Sequence, residues 1–519
     1  MKKWFVLVLC LGIATAAMAE EPETKKKPSI EQILSEGRTA LEAAQPAEAL
    51  MILRKGIRSR SPEAYELYSR ALMNAGKPDK AVSMLKRLVG VRGTQSDYLL
   101  LALAHSMAGQ RAGAAEALES ARTAKEPTLE GTCSLAWQTD DTTRRAEILR
   151  EAAKAFPANA AALNAEAAFW KARKGLRLRE PAAAVPPEGV VLKLKTLYNL
   201  EWAVAKTDEG KEIWLLVDTA CRRTVLSRYA AEKLDLEVVR SAAPLPGAYA
   251  DEPAPEYAFV QSLDFKTHKV RNVPVLVVED ESGTLKYREG YAVLKGILGM
   301  DLLRGMKFAF DRKENELRLY PWGTPPEKMI SGKISEWATI DAYPVHDQWF
   351  IESSVGNKDD VLGLLTTGCT LVMATEPFLE GADLKPQSKN LLDLTPGGRF
   401  TMEKTVNTRG GRSSGASGTS FTAGSVTGNM GEMDRTRTVV LGWMDECLPL
   451  AGKIKTIPTT SSVGLGVNKF QIPTLPCYPR PIGGDVKGCT VIGRQITDFF
   501  SMVFDPAANK IYLKQVLFN

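Results

Sequence analysis

From about residue 30 to 175, apolar positions recur every three to four residues. Alanine and leucine dominate and β-branched residues are few, a pattern that predicts amphipathic helices. At residues 176–189, proline and glycine interrupt that period, and this stretch is expected as a linker. From residue 190 onward the period shortens to two. Residues 190–194 alternate, and residues 199–205, a turn at 207–210 and residues 213–217 predict a hairpin. Residues 349–355, a turn at 356–360 and residues 361–365 predict a second, and 308–311 with 317–319 a third. The chain therefore divides into a helical segment and a β-rich remainder.

Residues 1–19 have a different character. Lys2 and Lys3 precede a short apolar run, and Ala17-Met18-Ala19 places small residues before Glu20, the form of a secretory signal. The run is too short to span a bilayer comfortably. The residue before Cys10 is Leu9, where a lipoprotein signal needs a small side chain. The expectation is a periplasmic or secreted protein with no membrane segment beyond the signal. Residues 20–29 are charged and Lys-rich, and are expected to be disordered.

Composition narrows the function classes. The 519 residues are 44% hydrophobic and 25% charged, ordinary for a globular chain. The net charge of +6, or +4 without Lys2 and Lys3, is too mild and dispersed to argue for nucleic acid. His105, His268 and His346 are the only histidines, which counts against a His-rich metal site or a Ser-His-Asp triad. Phosphate-loop, His-Glu-x-x-His and Gly-x-Ser-x-Gly motifs are absent, so no cofactor is implied. Beyond Cys10 there are six cysteines and no Cys-x-x-Cys pair. An oxidising compartment allows disulfides, and Cys477 with Cys489, closest in sequence, is the pair expected to join.

A repeat runs through the helical segment. Ala49, Ala81, Ala114 and Ala146 recur at a nearly constant interval, and Leu53, Leu85, Leu118 and Leu149 continue the stripes they open. Three of them follow turn-forming stretches, Ala44-Gln45-Pro46, Gly76-Lys77-Pro78 and Gly109-Gln110; Phe156-Pro157 closes the fourth. The interval is close to that of tetratricopeptide repeats, which the pattern resembles. A non-repetitive helical bundle is the alternative. Either way the segment is expected to be a scaffold or peptide-binding surface for a protein partner, not a catalytic centre.

The chemistry-bearing motif ends the first hairpin: Leu215-Leu216-Val217-Asp218-Thr219-Ala220-Cys221, then a second apolar stretch at Val225-Leu226-Ser227. Well downstream of Asp218 begins Gly296-Ile297-Leu298-Gly299-Met300-Asp301-Leu302-Leu303. These segments resemble the retropepsin-like aspartic proteases, whose signature is two apolar residues before Asp-Thr-Gly-Ala and a later Ile-Leu-Gly. The likeness covers residues 190–322 and departs at Ala220, where the family has glycine. The layout then recurs. Gly493, Phe504, Asp505, Asn509, Ile511 and Leu513 follow Gly299, Phe310, Asp311, Asn315, Leu317 and Leu319 at one constant offset. The other predicted hairpin ends at Thr366-Thr367-Gly368-Cys369, with Thr367 matching Thr219 and Cys369 matching Cys221. The fold expectation is multidomain: helical repeats, then two all-β retropepsin-like lobes, 190–322 and 335–519. The resemblance implies their pairing into a pepsin-like cleft. It also implies Asp218 as catalytic residue, with Thr219, Ala220, Thr366, Thr367 and Gly368 in the supporting loops.

Aspartic proteolysis needs two carboxylates sharing one proton. Thr366 stands where the second is expected, and a hydroxyl cannot hold that proton or act as a base near neutral pH. Three readings follow. The lobes pair internally and the cleft binds an extended peptide or protein ligand with weak or no cleavage. Alternatively, two chains pair their Asp218 loops into an active homodimeric endopeptidase. In the third reading, the helical repeats are the functional surface. Cys221 and Cys369, with no histidine near in sequence, are expected as buried thiols, and Asp301 and its counterpart Gln495 as loop supports. The interval from Thr366 to Gly493 is much longer than that from Asp218 to Gly299. Its Gly/Ser-rich stretch, 409–431, falls where the family carries its flap and is either an enlarged lid or a disordered insertion; Pro246-Gly247-Ala248-Tyr249 is the comparable region of the first lobe.

Overall fold

A computed structural model describes residues 28–516 except 182, 198–199, 245–253, 279–293, 330–331, 357, 370–371, 382–386, 391–401, 405–452, 458–461, 466–467, 472–474 and 479–481. The signal-like segment 1–19, the Lys-rich stretch up to 27, residues 246–249, the segment 409–431 and Cys447 lie outside the described residues.

Helix starts follow from short polar side chains and proline. Ser29, Ser61, Thr94, Thr128 and Asp141 each accept a hydrogen bond from the backbone N–H three residues on, satisfying a donor the first turn leaves unpaired. Pro46, Pro62 and Pro78 occupy first positions, where no N–H is needed. The helices pack in succession: Ile30–Glu42 on Pro46–Gly56, Pro62–Asn74 on Pro78–Val91, Gln95–Met107 on Arg111–Thr123, and Leu129–Gln138 on Thr142–Ala155, which also meets Ala160–Lys171. Ala49, Ala81, Ala114 and Ala146 lie near the start of the second helix of each pair and are buried at its crossing. Leu53, Leu85 and Leu149 are fully buried, and Leu118 only partly. The turns within the first three pairs hold a left-handed residue, Ala44, Gly76 and Gly109, with φ of +53°, +64° and +69°.

The expected linker is tied down. Leu178 N donates to Asp140 O at 2.8 Å and Arg179 N to Asn272 O at 3.0 Å, and Glu180–Pro181 pair as a short strand with Arg271 and Val270. A backbone crossing between packed layers needs partners for its polar groups, and the neighbouring sheet edge supplies them.

The β-rich remainder runs through two series of elements in the same order. Glu212–Val217 ends a hairpin with Leu200–Lys206 and lies parallel to Leu294–Leu298; Lys358–Leu365 ends a hairpin with Gln348–Val355 and lies parallel to Thr490–Ile492. The strand Val225–Ser227 and helix Arg228–Lys233 of the first series recur in the second as Met373–Thr375 and Glu376–Gly381. The closing hairpin, Met306–Asp311 with Glu316–Pro321, recurs as Phe500–Asp505 with Lys510–Gln515. Asn315 and Asn509 hold the left-handed position of its turn in each case. In the second hairpin the returning strand begins at Lys358, inside the stretch expected as a turn, and Gly356 supplies a φ of +59°.

One sheet joins the two series. Its strands run in the order Val190–Leu197, Glu316–Pro321, Met306–Asp311, Phe500–Asp505, Lys510–Gln515, Ala338–Val345. At the centre Ala309 pairs with Val503, its own counterpart in the second series, and Phe308 and Phe310 face Phe504 and Met502 to either side. The arrangement is two-fold about that pair. Phe308 and Phe504 stack at 4.4 Å between ring centroids, and Trp349 packs edge-on to both.

The helices lie against both series. Turns of the first three pairs meet the second: Cys489 Sγ donates to Ala44 O at 3.1 Å, Tyr343 Oη to Gly76 O at 3.0 Å, and Asn509 Nδ2 to Met107 O. The last helices meet the first: Trp170 Nε1 donates to the hydroxyl of Tyr257 at 3.1 Å while the rings stack, and Ala242 N donates to Glu166 Oε2 at 3.2 Å. Among the described residues no helix is long and apolar enough to cross a membrane.

The five described cysteines are buried thiols. Cys477 and Cys489 are therefore not joined, contrary to expectation. Cys477 pairs across one edge of the strand Met373–Thr375, at Ala374, while Thr375 N bonds Cys489 O across the other. A strand stands between them, placing the two backbones roughly 9–10 Å apart, beyond the reach of a disulfide.

Candidate functional site

Two loops meet at the junction of the series. Each is delivered by a strand, Glu212–Val217 or Lys358–Leu365, held in parallel register with Leu294–Leu298 or Thr490–Ile492. The loops bond reciprocally. Thr219 Oγ1 donates to Leu365 O and Thr367 Oγ1 to Val217 O, both at 2.8 Å, and Thr219 N donates to Thr367 Oγ1 at 3.2 Å. Hydroxyl hydrogen bonds to carbonyls that no strand neighbour can reach explain threonine in both places.

Asp218 and Thr366 stand face to face between these threonines. Thr366 Oγ1 donates to Asp218 Oδ1 at 2.7 Å, and the same oxygen accepts from Ala220 N at 2.9 Å and Gly368 N at 3.4 Å. Thr366 Oγ1 in turn accepts from Gly368 N and Cys369 N, each at 3.2 Å. Asp218 is 0% exposed and Thr366 1%. Gly368 lacks a Cβ because there is no room for one: it would sit 2.5 Å from the Asp218 carboxyl. The structure thus brings together Asp218, Thr219, Ala220, Thr366, Thr367 and Gly368. Cys221 and Cys369 are buried just behind, in separate apolar clusters.

Each loop has a buttress. Asp301 Oδ1 accepts from Thr224 N at 2.8 Å and Thr224 Oγ1 at 3.0 Å. Gln495 Oε1 accepts from Val372 N at 2.7 Å at the equivalent place in the second series. Burial pushes the Asp301 carboxyl up, more than the Arg179 and Arg223 guanidiniums pull it down. Gly299 passes so close to the Arg223–Thr224 backbone that any side chain there meets it, which accounts for the glycine of Ile-Leu-Gly.

Sequence reasoning missed a set of charges beneath the loops. Asp347 lies in the two-residue turn His346-Asp347, both with positive φ, and receives Arg223 Nη1 at 2.5 Å and Arg304 Nε at 3.1 Å. Arg179, from the expected linker, reaches Asp140 at 2.7 Å and Asp301 at 3.5 Å. Burial pushes the Asp347 carboxyl up, but the Arg304 and Arg223 guanidiniums outweigh it and hold the group well below the usual carboxylate range. The available signal was turn chemistry: a two-residue hairpin turn of type I′ favours Asp or Asn.

Residues 204–302 match the family described as aspartyl protease, and an aspartic protease-like domain is present there. No match was found among curated proteins. Many solved structures are similar over part of the chain, among them MamA and two basic 7S globulins. MamA shares 20% identity over 27% of this chain and 74% of its own, with a TM-score of 0.19. Conglutin gamma, a basic 7S globulin from lupine seeds, shares 9% over 63% and 95%, with a TM-score of 0.31. Basic 7S globulin from soybean shares 8% over the same shares of each chain, also at 0.31.

Proposed function

We propose that residues 190–322 and 335–519 are two lobes of one aspartic-protease-like module, preceded by helical repeats of the tetratricopeptide type, and that the module holds an extended peptide rather than cutting it efficiently. The observation that carries this reading is the hydrogen bond from Thr366 to Asp218 at 2.7 Å. The partner of Asp218 in its own chain is a hydroxyl, which cannot alternate between acid and base as a second carboxylate does. The reciprocal threonine bonds support pairing within one chain over pairing of two Asp218 loops from two chains, because Thr219 already has its partners in the second loop. Peptide binding needs only backbone pairing along the cleft.

The test is cleavage of an unfolded protein substrate at acid and neutral pH, wild type beside Asp218→Asn. Little or no cleavage, the same in both, is expected. Asp218-dependent cleavage by a monomer overturns the reading, and cleavage that rises with dimer concentration favours the two-chain enzyme. Residues 1–19 act as an export signal in this proposal, so the N-terminal sequence of the exported protein should begin at Glu20; a retained Met1 contradicts it.

A further inference from the structure

A cavity open to solvent on one side lies away from Asp218, where the helices meet both lobes. Its volume is about 340 Å³, at the small end of ligand pockets. Leu103 and Leu118 come to it from the helices, Met300 and Phe308 from the first lobe, and Trp349 from the second. Such a wall suits an apolar body, and the volume suits one of roughly ten water-sized groups.

The polar side of the cavity is cationic. Arg111, at the start of a helix, stacks its guanidinium 4.6 Å from the Trp322 ring centroid. Its guanidinium has no hydrogen-bond or ion-pair partner among the described residues, although its backbone N–H donates to Gly109 O at 3.1 Å. Stacking occupies the face of the guanidinium and leaves its N–H edge free to meet a planar anion. Arg223 also lines the cavity, but its Nη1 is spent on Asp347 and its Nε is buried away from the cavity surface, so it contributes charge rather than a head-group contact. Asp347 is the one acidic group among the described lining residues, and it is shared between Arg223 and Arg304. The wall therefore carries net positive charge beside an apolar chamber.

We infer that this cavity binds a small amphipathic carboxylate of the medium-chain fatty-acid type, its tail among the apolar residues and its head on Arg111. The inference is independent of whether the Asp218 site cuts peptides. The bound molecule touches the back of that site: Met300 N donates to Cys221 O at 2.8 Å, and Arg223 follows Cys221 by two residues.

Isothermal titration of the full chain with octanoate, octan-1-ol and octylammonium tests it. Octanoate should bind saturably, one per chain, and at least tenfold more tightly than the alcohol, with no binding of the ammonium. Arg111→Gln should weaken octanoate at least tenfold and leave the alcohol unchanged; Ala115→Trp, at an exposed lining position, should abolish both. Both substitutions sit on the exposed side of a helix, and unchanged circular-dichroism melts will establish that the variants fold. Absence of saturable octanoate binding, equal binding of the alcohol, or octanoate affinity indifferent to Arg111→Gln overturns the proposal.

Discussion

Ala220 and Gly368 occupy equivalent places in the two loops, and the difference between them matters as much as that between Asp218 and Thr366. A Cβ at 368 would lie 2.5 Å from the Asp218 carboxyl. By the two-fold relation of the loops, the Cβ of Ala220 lies where a carboxyl at 366 would need to sit. Thr366 and Ala220 are thus one coupled feature. Thr366→Asp alone is expected to gain little cleavage and to destabilise by about 1–3 kcal/mol through crowding. Thr366→Asp with Ala220→Gly should relieve the crowding and produce cleavage with an acid optimum, read on the same unfolded substrate. A folded double variant with no activity argues against the facing geometry. The Asp-Thr pair at 218–219, the alanine at 220 and the threonine at 366 were all legible in the chain. Their coupling was not, because it depends on which atoms the loops bring within van der Waals reach.

At the level of elements, periodicity located the hairpins within a few residues but misjudged two connections. The stretch 176–189 reads as a linker because it is rich in proline, yet Leu178, Arg179, Glu180 and Pro181 within it are engaged by Asp140, Asn272 and a sheet edge. The turn expected at 356–360 is shorter, because paired strands extend until a left-handed residue lets them reverse. The period-two pattern did not mark the His346-Asp347 turn, although its carboxylate ties Arg223 to Arg304 beyond the Ile-Leu-Gly segment. Asp347→Asn leaves two guanidiniums with a neutral partner and should cost about 3 kcal/mol at neutral pH. The folded carboxyl is depressed, so its contribution is complete above the unfolded value near pH 4. It is lost as pH falls through the folded value. Melting temperatures from pH 7 to 2 should show a constant gap between wild type and Asp347→Asn down to about pH 4 and a narrowing gap below. A gap unchanged at pH 2 contradicts the ion pair.

Across the whole molecule, the helices and the β-rich region share their cores. One apolar cluster runs from Leu72 and Leu85 through Tyr343 and Phe350, and another from Trp137 and Trp170 through Trp202 and Tyr257. Arg70 of a helix and His346 of the second β series both bind Asp485. A helical segment so engaged does not behave as an independent scaffold. Its unfolding, followed by far-ultraviolet dichroism, should coincide with that of the β-rich region, followed by tryptophan fluorescence. Two separated transitions would return the helices to an independent role.

The chain by itself determined the helical and β-rich segments, the internal recurrence and the identity of the facing loop residues, since these depend on side-chain period and local turn chemistry. Tertiary structure alone decided that Cys477 and Cys489 lie on either side of one strand, that helical turns close onto the second β series, and that Arg111 lines a largely apolar cavity. Those outcomes turn on contacts between residues far apart along the chain, and such contacts are set by the packing of preformed surfaces, which no local pattern records.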